Sequence, residues 1–333
     1  MRYFFLFLFL YIFNVNGFSQ GCCSGGAGSP IVGSASSGVL QEYQMELSFN
    51  YQANKSHQFL SGNVQSNSLF ESLKTDYLFL RTDYGISEKL TLSIASGYYI
   101  RKELIESENV DTISSSGLSD LIIFPRYSVY SVNNDFKRTE IALGIGIKIP
   151  LGSHMDSSLT LLASSFAPGF PENDIYSLNP PSLQTTNGSH DFMFHSFFYR
   201  NYQKNKLSLF ISTLYIKKSF NSLGINFGNY SSIGFFVSKI FVRKWMITTQ
   251  IKAEKIGNIK SAQNIDLNGF YNIDPISTGS KKWFCIPQIS YSSNGLTFFA
   301  TGEIPIYQYL NGTQIGSENQ FTLGINYRFL LKK

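Results

Sequence analysis

The chain has 333 residues, of which 43% are hydrophobic, 16% aromatic (30 Phe, 20 Tyr, 2 Trp) and only 15% charged. That charged fraction is well below the roughly 25% of a soluble globular chain, and beyond the N-terminus no run approaches the roughly 20 apolar residues of a membrane helix. A net charge of +5 without a Lys/Arg cluster offers no footprint for nucleic acid, which is excluded from the expected partners.

Arg2 is followed by an apolar run over residues 3–13 and then by Asn14, Asn16, Gly17 and Ser19. A positive start, a short apolar core and small residues near the end describe a secretory signal peptide over residues 1–19, leaving Gln20 first in the exported chain. Residues 20–38 (QGCCSGGAGSPIVGSASSG) are Gly- and Ser-rich and cannot bury enough apolar surface to fold alone. They are expected to form a tail or a plug inside something larger. Cys22 and Cys23 are read as a vicinal disulfide, because two adjacent thiols with no nearby His make a weak metal site. No metal and no cofactor are expected.

From residue 39 onward the pattern becomes alternation. Tyr43, Met45, Leu47, Phe49 and Tyr51 fall on one face of a strand, and Gln44, Glu46, Ser48, Asn50 and Gln52 on the other, since a strand turns its side chains over with period two. Residues 77–84 and 90–101 read as a hairpin about the turn at 85–89, and residues 117–130 as the next strand. Residues 139–150 (TEIALGIGIKIP) give the cleanest pattern: Ile141, Leu143, Ile145, Ile147 and Ile149 oppose Glu140, Ala142, Gly144, Gly146 and Lys148. Its length of about ten residues is what a tilted strand needs to cross a bilayer.

A long irregular stretch over residues 152–190 follows, and loops of this length are usually functional or disordered. Further strands are expected over 191–199, 207–217, 230–241, 245–255, 283–291, 296–304 and 320–331. Short connections near Ser87, Asn134, Gln203, Arg243 and Asn294 alternate with long ones near Asn63, Glu108, Gly169, Ser222, Ala262 and Asn311. About twelve strands joined in this way close an all-β, transmembrane antiparallel up-and-down β-barrel over residues 39–333, with both termini on one side. Closure leaves no unpaired edge in lipid. The expected location is the outer membrane of a Gram-negative bacterium, with outer-membrane lipid and lipopolysaccharide as partners.

Two stretches carry a family resemblance. Ser116-Gly-Leu-Ser-Asp120-Leu121 with Pro125-Arg126-Tyr127, and then residues 144–152 (GIGIKIPLG), resemble strands of bacterial outer-membrane proteins of the phenol-degradation MetA-pathway type. These are distant relatives of the long-chain fatty acid outer-membrane transporters. The resemblance implies passive transport of small hydrophobic or amphipathic molecules. Gly324, Tyr327 and Phe329 on the last strand look like the C-terminal signal read by the outer-membrane assembly machinery, although the chain runs on to Lys333. The signal-peptide end and Gln20 resemble those of the Bacteroidetes lineage.

If the apolar faces meet lipid, the opposite faces line the barrel. Glu46, Arg81, Asp83, Arg101, Asp120, Arg126, Glu140, Lys148, His195, Lys239, Lys252, Glu254, Glu303 and Arg328 are the lumen-lining candidates. Their mixed signs suit either an ion-pair network filling a narrow lumen or a charged pore wall, because charges away from bulk water need partners. Asp120 is expected to pair with Lys148 or Arg101. A structural or adhesion barrel with a filled lumen is the first alternative function, and an outer-membrane hydrolase the second. For the hydrolase, Ser189 and Ser196 are sequence neighbours of His190 and His195, which places the side chains on opposite faces and works against activation of a nucleophile. No catalytic residue is assigned, and the chain is not expected to be an enzyme. Cys285 falls on the outward face and reads as a small apolar residue.

Overall fold

The structure is a computed structural model that describes residues 38–105, 112–161, 175–242, 244–263, 265–267 and 273–331. The signal peptide, the Cys22–Cys23 pair and all but the last residue of the Gly/Ser-rich segment lie outside the described residues.

Twelve long strands form one closed antiparallel barrel. They are β1 (Gln44–Ser56), β2 (Ser72–Ser87), β3 (Leu90–Ile105), β4 (Asp120–Asn134), β5 (Lys137–Pro150) and β6 (Asp191–Tyr202). The second half adds β7 (Leu207–Lys217), β8 (Tyr230–Val242), β9 (Trp245–Ile256), β10 (Ser280–Ser293), β11 (Leu296–Ile315) and β12 (Gln320–Leu330). Each strand pairs with its neighbours in the chain, and β12 returns to β1 in a continuous register from Gln44↔Leu330 to Ala53↔Phe321. Closure in this way satisfies the backbone of every barrel strand on both sides, which lipid demands.

The alternation sorts side chains between two environments. Leu80, Ile145 and Leu323 are 56%, 62% and 59% exposed on the outside, whereas Phe79, Ala142 and Thr322 are buried within. An outer band of this kind, continuous around the barrel, far exceeds the apolar patch of a few hundred Å² that a soluble monomer tolerates. Aromatic residues mark its two edges: Tyr127, Tyr130, Trp245 and Tyr327 towards the short turns, and Tyr98, Tyr215, Trp283 and Tyr309 towards the long loops. Such girdles sit where bilayer meets water.

Several expected boundaries move. The strand expected to begin at Gly117 starts at Asp120; a separate strand, Thr112–Leu118, pairs with β3, and Ser119 between them donates its amide to Gly97. The long connection expected near Asn311 is instead strand, because β11 runs for 20 residues and its far end pairs with Phe59–Gly62. Only residues 316–319 join it to β12.

Candidate functional site

The barrel interior contains most of the charged candidates, arranged at three heights. At the short-turn end, residues 38–41 fold into the mouth: the Val39 amide donates to Glu140 Oε1 at 2.8 Å and the Leu40 amide to Thr91 Oγ1 at 2.7 Å. Leu40 is buried. Gly85 makes this approach possible, since a Cβ there would lie 1.9 Å from the Gln41 carbonyl oxygen. Beside the segment remains a cavity of about 210 Å³ lined by Val39, Glu140, Phe197, Tyr199, Phe210 and Arg328 among others. Glu140 also accepts from Arg138 at 2.8 Å.

The next layer is a cluster of five charges. Register places Glu46 opposite both Asp83 on β2 and Arg328 on β12. Two carboxylates facing each other across strands repel, and the arginines resolve this. Arg81 reaches Glu46 at 3.4 Å and Asp83 at 2.9 Å, Arg126 reaches Asp83 at 3.0 Å, and Arg328 Nε donates to Glu46 at 2.7 Å. Ser93 completes the set by donating to Asp83. Arg81 and Asp83 are each 1% exposed and Glu46 2%, so these charges depend on one another rather than on bulk water.

Towards the long-loop end, Lys148 sits 2.8 Å from Asp120 and 3.7 Å from Asp191. Thr186 donates to Asp120, and Ser189 donates to Asp191 at 2.8 Å. Lys252 forms a second triad, 2.7 Å from Glu303 and 3.6 Å from Glu254. Above them the third long loop turns inward. Its Leu183 is fully buried against Phe59, Leu73, Leu104 and Ile315.

Between these charges the interior has two unlike walls. Tyr77, Phe79, Ile122, Phe124, Met193, Leu214 and Ile216 form one apolar cluster across β2, β4, β6 and β7. Small residues on neighbouring strands make room for its rings: a Cβ on Gly144 would stand 2.6 Å from Phe124 Cζ, and one on Gly97 2.0 Å from Tyr77 Oη. The other wall, on β12 and β1, carries Thr322, Asn326, Ser48, Asn50 and Gln52, all buried. Among the described residues, Ser48 Oγ, Gln52 Nε2 and Ser56 Oγ have no hydrogen-bond partner.

Two candidates lie elsewhere. Arg101 was expected inside but is on the outer surface, 47% exposed and 2.6 Å from Asp76, because the β2–β3 register shifts at Asp76/Tyr77. That single-residue shift turns the end of β3 over. Lys239 is exposed and shares the outward face of Phe235 and Val237, so the inward parity assigned to it is corrected too. His195 points inward between Phe124 and Phe197, with ring centroids at 5.6 and 6.4 Å, and among the described residues neither ring nitrogen has a partner. Ser189 and Ser196 bond to Asp191 and Thr213, not to a histidine. Cys285 is half-buried and has no disulfide partner among the described residues. Tyr327 is exposed on the outer face of β12, with Phe329 stacked on it at 5.1 Å.

Reasoning from sequence missed the inward loop around Leu183, since burial of a Ser- and Pro-rich stretch has no periodicity. It also missed the pairing of interior glycines with rings. The inward glycines at 144 and 146 were a signal that something large stands opposite.

No protein-family model matches the chain, and no curated protein matches its sequence. Among solved structures, an outer membrane channel from Pseudomonas putida F1 superposes with a TM-score of 0.64, at 11% identity, over 90% of this chain and 100% of that one. The chain is an outer-membrane β-barrel. A FadL homologue from Pseudomonas aeruginosa aligns over 85% of this chain and 90% of its own, with a TM-score of 0.40 and 11% identity. The NanC porin aligns over 85% and 98% with a TM-score of 0.44 and 11% identity. In outer-membrane barrels the short turns are periplasmic and the long loops extracellular.

Proposed function

We propose that the protein is a passive outer-membrane channel for small amphipathic or hydrophobic molecules. The observation that carries this reading is the division of the interior into an aromatic and aliphatic wall and an adjoining lane of neutral hydrogen-bonding groups. Both sets are buried in the resting barrel, so a solute with one apolar and one polar side would meet a surface of each kind as these side chains part, and Ser48, Gln52 and Ser56 have hydrogen-bonding atoms to offer it. The sequence resemblance to the phenol-degradation MetA-pathway type belongs to this proposal, as does the channel role for which the Pseudomonas putida protein is named. No energy source is involved, and the solute moves down its gradient.

Residues 20–38 act as a plug in this reading, continuing from the segment held at Glu140 and Thr91. The test is single-channel conductance of the refolded chain from Gln20 in a planar bilayer, with and without residues 20–38. Conductance that is present throughout, or appears on truncation, supports the channel. Silence from both folded barrels overturns the open-lumen route and favours a filled structural barrel, for which the buried five-charge cluster is the supporting observation.

A further inference from the structure

On the outer surface, two lysines face each other with no carboxylate between them. Lys255, next to last in β9, lies directly opposite Lys281, the second residue of β10. Both are exposed, and among the described residues neither forms an ion pair. The outward residues opposite them on the flanking strands are neutral: Ser231 on β8 and Tyr309 on β11. Like charges opposed on a sheet are destabilising, so this pair is a cost to the isolated barrel unless an anion lies between the two ammonium groups.

The height of the pair indicates which anion. Trp283 is 49% exposed two residues deeper on β10, and Tyr307 and Tyr309 on β11 are 47% and 43% exposed. These rings belong to the extracellular girdle, at the level of lipid headgroups, and a two-residue step along a strand is about 7 Å. The lysines therefore stand where the phosphates of the outer leaflet stand. The other outward lysine pair on the barrel, Lys55 opposite Lys74, differs in having Glu103 opposite Lys74 on the next strand.

We propose that Lys255 and Lys281 bind a phosphate of the phosphorylated glycolipid of the outer leaflet, one ammonium on each side of the phosphate oxygens. The lipid's apolar chains would run down past Trp283 and Ile251. Charge-assisted bonds to phosphate are among the stronger polar contacts available at a headgroup.

The proposal is tested by native mass spectrometry of the refolded chain from Gln20, titrated in detergent with bisphosphorylated lipid A. The comparisons are the same lipid with its phosphates removed, and inorganic phosphate. The expected result is that K255Q/K281Q loses about thirtyfold in apparent affinity for lipid A, that K55Q/K74Q loses little, and that dephosphorylated lipid binds wild type as weakly as lipid A binds the first variant. Heat-modifiable gel mobility confirms that each variant is folded, and removal of a like-charge pair should not lower its melting temperature. Unchanged lipid A binding by folded K255Q/K281Q, or equal binding of the phosphorylated and dephosphorylated lipids, overturns the proposal. Inorganic phosphate binding as tightly as lipid A would also overturn it, by assigning the site to a free ion.

Discussion

Arg81→Met is the most informative change within the barrel. The methionine keeps much of the side-chain volume and removes the cation that lies 3.4 Å from Glu46 and 2.9 Å from Asp83. Those carboxylates stand opposite each other across β1 and β2 and are almost fully buried. Breaking a buried charge set by removing one partner costs about 3–5 kcal/mol. Arg126 still holds Asp83 at 3.0 Å and Arg328 still holds Glu46 at 2.7 Å, so the expected loss is at the lower end, about 3 kcal/mol. Reversible urea unfolding into and out of lipid vesicles measures it. A companion triple variant, Arg81→Met with Glu46→Gln and Asp83→Asn, takes these carboxylates away from Arg126 and Arg328 and should lose more than Arg81→Met alone, by an amount that is non-additive because the partners are shared. A loss below about 1 kcal/mol for Arg81→Met would refute the reasoning, because it would place the cluster in the range of solvated pairs. The charges would then line water instead of replacing it.

Gly144→Ala places a Cβ 2.6 Å from Phe124 Cζ and 3.1 Å from Arg126 Cγ; overpacking of this kind should cost about 1–3 kcal/mol, and Phe124→Leu should relieve it in the double variant, read by the same unfolding assay. Gly85→Val drives a side chain into the Gln41 carbonyl, 1.9 Å from the position of its Cβ. It should expel residues 38–41 from the periplasmic mouth and give the conductance of the chain truncated of residues 20–38, while a conductance equal to wild type would count against the plug. Tyr327→Ala with Phe329→Ala removes the two stacked rings of β12 and should slow insertion by the assembly machinery in a reconstituted assay more than unassisted folding into thin bilayers; equal slowing in both would assign the rings to stability alone.

The barrel was legible because a strand in lipid has one apolar and one wet side, and β1, β5 and β12 write that difference at every second residue. Legibility ended where register ceased to follow parity. Arg101 reads as inward by counting from Thr91, yet the shift at Asp76/Tyr77 turns it outward to Asp76. Asp120 and Lys148 could be paired from sequence because both lie near the ends of adjoining strands. The partners of Arg81 and Arg126 could not, since they depend on how β1, β2, β3 and β4 are staggered. Leu183 was illegible for a different reason: a loop that folds inward buries itself against Phe59, Leu104 and Ile315, residues distant in the chain, and its own sequence carries no trace of them.

The charged and the neutral polar groups inside the barrel are treated differently, and the difference bears on function. Arg81, Asp83, Lys148 and Lys252 each have counterions at hand, as a barrel of fixed shape requires. Ser48 Oγ, Gln52 Nε2 and Ser56 Oγ, spread along β1, are buried with no hydrogen-bond partner among the described residues. Each such group costs about 1–3 kcal/mol relative to a satisfied one. A barrel that only had to be filled would be more stable with apolar side chains there, packed against Phe79 and its neighbours. Ser48→Val with Gln52→Leu should therefore raise resistance to urea by about 1–3 kcal/mol while lowering single-channel conductance of the plug-deleted chain or its uptake of amphipathic dyes. Greater stability with unchanged transport would sever the lane from the path of the solute. Lower stability would mean that water already satisfies these atoms in the resting barrel and that a solute gains nothing by meeting them.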